Sequence, residues 1–194
     1  MNCESDEAVA EVGRLLRLLH QATSAFAPPA GAVWQPRFGR DLPGSDQVIG
    51  HCDLGPWNII ARGGLPVSFV DWEYAGPVGA MWDLAHTAWL NAQLHDDDVA
   101  ERNGLPGAVD RARQLRLFLD GYGLPVGGRG GFVDRMIEFA VHSARHEAVI
   151  GRVTPESGAT DDAGYPVLWA VTWRTRAASW MLHHRSLLEE AIAS

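Results

Sequence analysis

The sequence predicts a mainly α chain (α+β) in a single domain, 1–194, with a small β-hairpin in its first half. Three observations carry that expectation. Apolar residues recur at helical spacing through most of the chain, as in Val9, Val12, Leu15, Leu16 and Leu19. Extended runs are confined to the stretch between Val48 and Val70. Hydrophobic content of 46% and charged content of 21% over 194 residues describe an ordinary globular protein, long enough to bury a core without a disulfide or a structural metal.

The elements follow in order. A leading helix, 5–26, opens at Ser5 with Ala8 onward at helical spacing, and must stop before Pro28-Pro29. Ala27 to Ser45 hold four prolines and three glycines and read as an irregular loop. Val48–Gly50 and Ile59–Arg62 are short apolar stretches. Gly63-Gly64 is a turn signal, and Val67–Val70 is a strand that pairs back across it. Gly76-Pro77 breaks the chain. Trp82–Leu94 reads as a helix with Leu84, Ala85, Ala88 and Trp89 on one face. Ala108–Tyr122 is an amphipathic helix with Gly123 in a C-cap position. Gly127–Gly131 is a linker or tight turn. Phe132–Gly151 and Val167–Ala193 are two long helical patterns around the polar loop Thr154–Gly164. There is no internal repeat and no sign of a second domain.

The 16 basic residues are all arginine, against 24 acidic residues, so the net charge is 16 − 24 = −8. This balance disfavours binding to a nucleic-acid backbone and suits a small cationic ligand or plain solubility. The absence of lysine excludes Schiff-base and P-loop lysine chemistry. Cys3 and Cys52 form no CxxC pair, which argues against a disulfide framework. Met1 to Glu11 carry acids and no apolar run, so a signal peptide is not expected. No apolar run approaches the roughly 18 residues of a membrane span. A cytoplasmic location is the default expectation.

The segment His51 to Ala85 carries the chemistry. Asp53 lies in a loop between two apolar stretches, with Asn58 five residues later. Asp71 ends the strand Val67–Val70. Both Asn58 and Asp71 therefore flank the open end of the hairpin, near Asp53. Oxygen ligands from one Asp and one Asn suit Mg²⁺, which takes its remaining ligands from water and phosphates. Asp53 is then free to accept a hydroxyl proton, the division of labour of phosphoryl transfer. Singly, each of these residues is more simply a turn or cap residue. Jointly, His-x-Asp-x4-Asn followed by a hydrophobic strand ending in Asp is far more specific.

The segment resembles the catalytic core of the aminoglycoside phosphotransferase and choline-kinase-like family. The pattern stands here as His51-Cys52-Asp53-Leu54-Gly55-Pro56-Trp57-Asn58, then Phe69-Val70-Asp71-Trp72-Glu73, Gly76-Pro77 and Trp82-Asp83-Leu84-Ala85, preceded by Leu15-Leu16-Arg17-Leu18-Leu19-His20-Gln21-Ala22. The resemblance implies a protein-kinase-like C-terminal lobe whose β-hairpin bears the catalytic loop. It divides the chain into the leading helix, a catalytic core at 46–94 and a helical substrate-side subdomain at 105–194. It implies Mg²⁺-dependent transfer of a nucleotide γ-phosphoryl to a hydroxyl of a small, aminoglycoside-like molecule. Asp53 would be the catalytic base and His51 would brace its loop. Asn58 and Asp71 would hold Mg²⁺ and the phosphates of ATP or GTP. Asp83 would hydrogen-bond the loop from below. Cys52 stands where the family carries Gly or Asn, as an inert packed thiol.

The family's strand-rich nucleotide-binding lobe and its lysine are absent from these 194 residues. Weak nucleotide binding is therefore expected, and a second copy of the chain or a partner is one way to supply the missing lobe. The alternative is a truncated or degenerate lobe that binds a small, cationic ligand without phosphoryl transfer. Trp57, Trp72 and Glu73 adjoin the motif and are candidates for substrate contact. His142 and His146 share one helix face with Glu138, more simply a polar stripe toward the acceptor than a metal site. Asp96-Asp97-Asp98 read as a solvated loop starting a helix. Trp82, Trp89, Trp169, Trp173 and Trp180 read as core.

Overall fold

A computed structural model describes residues 5–44, 46–161 and 163–194; Cys3 lies outside them. The chain runs α1 (Asp6–Thr23), β1 (Gln47–Gly50), β2 (Ile59–Arg62), β3 (Leu65–Phe69), β4 (Gly76–Gly79), α2 (Ala80–Asn91), α3 (Asp97–Arg102), α4 (Ala108–Tyr122), α5 (Phe132–Ile150), α6 (Val167–His183) and α7 (Arg185–Ile192). It is mainly helical, with two small antiparallel sheets among the described residues. No described helix is long and apolar enough to cross a membrane.

α1 begins where Ser5 Oγ accepts the Ala8 N–H at 3.1 Å, with Asp6 and Glu7 in the first turn where the helix dipole favours them. Its apolar face, Val9, Val12 and Leu16, packs against α4. α2 is the buried axis. Every residue from Trp82 to Asn91 is buried, so the core covers the polar residues of this helix as well as the apolar face of Leu84, Ala85, Ala88 and Trp89. α5 packs against it and pairs with α6, and α7 closes against α4.

β2 and β3 form the expected hairpin, with Ile59 opposite Phe69. Gly63 (φ 60°) and Gly64 (φ 84°) both occupy the left-handed region that a two-residue turn of right-handed twist requires.

The structure departs from the expected pattern at Gly76-Pro77 and in the last helix, and agrees with it at Asp96 and in the Gly-rich turn. Gly76-Pro77 is not merely a break: Gly76–Gly79 pairs with β1 in the register Ile49 to Pro77. Proline is tolerated because each strand of a two-stranded sheet has a free edge. Asp96 is the N-cap of α3, its Oδ1 accepting the Asp98 N–H at 3.3 Å. The Gly-rich stretch is a single 3₁₀ turn, Val126–Gly128, and Gly131 (φ 73°) starts α5. The expected single helix 167–193 divides at His184, whose ring stacks on Trp180 at 4.1 Å with Nδ1 3.0 Å from the Trp180 carbonyl oxygen.

Candidate functional site

The loop after β1 is held from beneath by one carboxylate. Asp83, on the first turn of α2, is 1% exposed. Its Oδ1 accepts the Cys52 N–H at 2.9 Å and its Oδ2 accepts the His51 N–H at 3.3 Å. His20 of α1 places Nε2 3.0 Å from the same Oδ2, and its Nδ1 lies 2.9 Å from the Tyr122 hydroxyl of α4. Burial pushes the Asp83 carboxyl up, but the His20 hydrogen bond and charge and the Cys52 N–H outweigh it and hold the group below the usual carboxylate range. Burial and the Asp83 charge push the Tyr122 hydroxyl up to about 12. Gly50 makes the arrangement fit: a Cβ there would meet the Asp83 carboxylate at 2.7 Å.

So clamped, the backbone turns sharply. Cys52 is left-handed at φ 62°, an uncommon conformation for a residue with a Cβ. Its thiol is buried, and burial pushes it up to about 12, so it is no nucleophile. His51 is fully buried, its Nε2 2.9 Å from the Val70 carbonyl oxygen and its ring 4.7 Å from that of Trp72. It braces loop against hairpin.

Asp53 stands at the loop's apex. Arg37, from the irregular loop after α1, pairs with Asp53 Oδ1 and donates from Nε to the Cys52 carbonyl at 3.2 Å. Its guanidinium also lies over the Tyr74 ring at 4.2 Å. Asn58 Nδ2 donates to the Asp53 carbonyl at 2.9 Å and to Oδ2 at 3.3 Å. Burial raises the proton affinity of Asp53, against the lowering effect of Arg37.

Asn58 is buried, and its carbonyl accepts the Val70 N–H at 3.0 Å, so Asn58 and Asp71 flank the open end of the hairpin. Asp71 is exposed and left-handed at φ 62°. No cluster of three His, Cys, Asp or Glu side chains able to hold a metal occurs among the described residues. Asn58 and Asp71 still fit the partial oxygen set that Mg²⁺ takes beside phosphates. Because Asn58 spends Nδ2 on Asp53, its Oδ1 points the other way.

An open cavity of about 420 Å³ begins at Pro56 and Trp57, just after the Asp53 loop; Asp53 itself does not line it. Trp57 lines it and is 61% exposed. Opposite stand Trp169, Trp173 and Tyr165. Trp169 is 46% exposed, which corrects the expectation that it is core. Trp173 does reach the core, stacked on Trp89 at 5.1 Å.

Trp72 and Glu73 are exposed and lie away from this cavity. His142 faces solvent, 3.7 Å from Glu138. His146 packs against Phe38 beside the Arg37 loop, with burial lowering its proton affinity. Neither lines the cavity, so the Glu138, His142 and His146 stripe is not its wall. Sequence reasoning missed Arg37, Arg174 and His95. Each is a single residue in an unpatterned loop or on a helix face far along the chain, and nothing local marks it.

A family model described as the phosphotransferase enzyme family matches residues 32–122, which include Arg37, the Asp53 loop and Tyr122. The trifolitoxin immunity protein of Rhizobium leguminosarum bv. trifolii is 56% identical over 189 residues, which are 97% of this chain and 70% of that protein.

Proposed function

Because this chain belongs to the phosphotransferase enzyme family, we propose that it transfers the γ-phosphoryl of ATP or GTP to a hydroxyl of a small molecule, on a protein-kinase-like helical lobe working in the cytoplasm. The observation that carries this is Asp53, held with Asn58 against it by a loop whose backbone is pinned to Asp83, four residues before Trp57 of an aromatic cavity wall. The acceptor hydroxyl gives its proton to Asp53. Its oxygen forms the bond to the γ-phosphorus, and the bond from that phosphorus to the β,γ-bridging oxygen breaks, releasing the nucleoside diphosphate. Burial, which raises the proton affinity of Asp53, makes it a better base near neutral pH than an exposed aspartate. Asn58 and Asp71 are the residues that would hold Mg²⁺, which when bound neutralises phosphate charge. With no lysine to clamp the phosphates, nucleotide affinity is expected in the millimolar range, about −4 kcal/mol.

The relative's name attaches it to immunity against trifolitoxin. The acceptor is accordingly proposed to be a toxin of that kind, silenced by phosphorylation. The test expresses wild type and Asp53→Asn in a toxin-sensitive strain and analyses the recovered toxin by mass spectrometry. The expected result is protection by wild type with a gain of one phosphoryl group on the toxin. Both should be lost in the variant, whose turnover falls by about 10²–10⁴-fold.

One observation favours a binding protein without phosphoryl transfer. Both Asp53 oxygens are already engaged, by Arg37 and Asn58. Undiminished protection by Asp53→Asn, with unmodified toxin, would establish that alternative.

A further inference from the structure

The cavity that begins at Trp57 is walled by aromatic rings rather than by acids. Among the described residues that line it there is no Asp or Glu. The carboxylate behind the wall, Glu147, is already taken. It pairs with Arg174 at 2.7 Å and accepts the Tyr165 hydroxyl at 3.3 Å. Arg174 itself lines the cavity, but Glu147 balances its charge, so the wall presents no unpaired charge.

His95 adds a second, independent pointer. It lies on the cavity wall, its ring 5.4 Å from that of Trp173, and its Nδ1 is buried with no hydrogen-bond partner. Burial and the Arg111 charge push it down to about 4, so it is neutral at physiological pH and adds no charge to the wall. The exposed faces of Trp57 and Trp169 are not explained by the core and are suited to stacking on a planar ligand.

A polycationic aminoglycoside would bring several ammonium groups to a wall that offers no free carboxylate to pair with them. The net charge of −8 does not help it, because those acids lie elsewhere. We infer that the acceptor of this protein is an uncharged aromatic compound bearing a hydroxyl, stacked among Trp57, Trp169 and Trp173. This rests on the cavity being the acceptor site of the proposed transferase. The volume, about 420 Å³, falls within the range of small-molecule sites.

The test measures binding alone, by calorimetry and tryptophan quenching on the 194-residue chain without nucleotide. The probes are 2-naphthol and kanamycin. The expected result is sub-millimolar binding of 2-naphthol and none of kanamycin. Trp169→Ala should weaken 2-naphthol about tenfold, and Trp169→Phe, which keeps a ring, should bind within about threefold of wild type. Kanamycin binding as tightly as 2-naphthol would overturn the inference. So would a folded Trp169→Ala chain that binds 2-naphthol like wild type, or a Trp169→Phe chain that loses it. Because no turnover is read, aromatic binding by a chain that phosphorylates nothing would uphold the uncharged aromatic ligand of this cavity and sink only the transferase.

Discussion

At Asp53 the decisive neighbour is Arg37, whose guanidinium favours the ionised carboxylate while burial opposes it. Arg37→Met removes that cation and should raise the Asp53 pKa further. The acid limb of the pH–rate profile, or the Asp53 carboxyl resonance followed by NMR titration, should move to higher pH. An unmoved titration would show that the pairing is not felt by the base. Cys52 makes a different point. Its left-handed backbone, forced by the two N–H groups that Asp83 gathers, gives the reason that the family pattern carries Gly or Asn there. Cys52→Gly should relieve about 1 kcal/mol of strain and lose a similar amount of buried surface, leaving urea stability within about 1 kcal/mol of wild type. Cys52→Val, β-branched at the same φ, should cost more than about 2 kcal/mol. Asp53, Asn58, Asp71 and Asp83 were legible because a short stretch of chain, one hairpin and one helix start convey them to the site. Arg37, His95 and Arg174 were not, because tertiary packing alone delivers them.

Among the elements, the α1–α4 crossing is set by two glycines facing opposite ways. A Cβ on Gly13 would meet the Phe118 carbonyl oxygen at 2.2 Å, and one on Gly121 would meet the Ala10 carbonyl oxygen at 1.9 Å. Helix propensity favours alanine at both sites by about 1 kcal/mol. Backbone atoms cannot step aside as a side chain can, so Gly121→Ala should destabilise by about 2 kcal/mol or more in chemical denaturation. A stabilised variant would mean that the helices separate at little cost. Neither glycine is distinguishable in the sequence from one tolerated on a surface. The long helices were legible from their periodicity. The pairing of β1 with β4 was not, since four-residue segments with two glycines in one of them carry no period and find each other only through α2.

For the whole molecule, pH is the informative variable. His86 is buried against Phe139, and burial together with the Arg37 charge pushes it down to about 3; His95 is pushed down to about 4. Both sit below the ordinary histidine value of 6.5. Below 6.5 the unfolded chain therefore binds protons that the folded chain refuses. The stabilising contribution of each is complete above that pH and shrinks as pH falls toward the folded values. At about pH 5 each should have cost up to about 2 kcal/mol. Asp83, held below its ordinary 3.8, loses its contribution only at still lower pH and does not confuse this window. Urea titrations at about pH 7 and about pH 5 should show a clear loss in wild type. His86→Phe, which keeps the stacking on Phe139, should show about 2 kcal/mol less of it. An equal loss in both proteins would mean that His86 is protonated in the fold.

The Asp83 clamp also bears on the order of events in folding. Its hydrogen bonds join residues 63 positions apart at His20 and 31 apart at Cys52, and His20 goes on to Tyr122 across 102. Chain closure over such separations is rewarded only after α1, α2 and α4 have docked. The loop bearing Asp53 therefore takes shape after the helices around it. Disturbing that loop should hasten unfolding while leaving the folding rate nearly untouched. The part of the molecule that meets the ligand would then be the last to assemble and the first to let go.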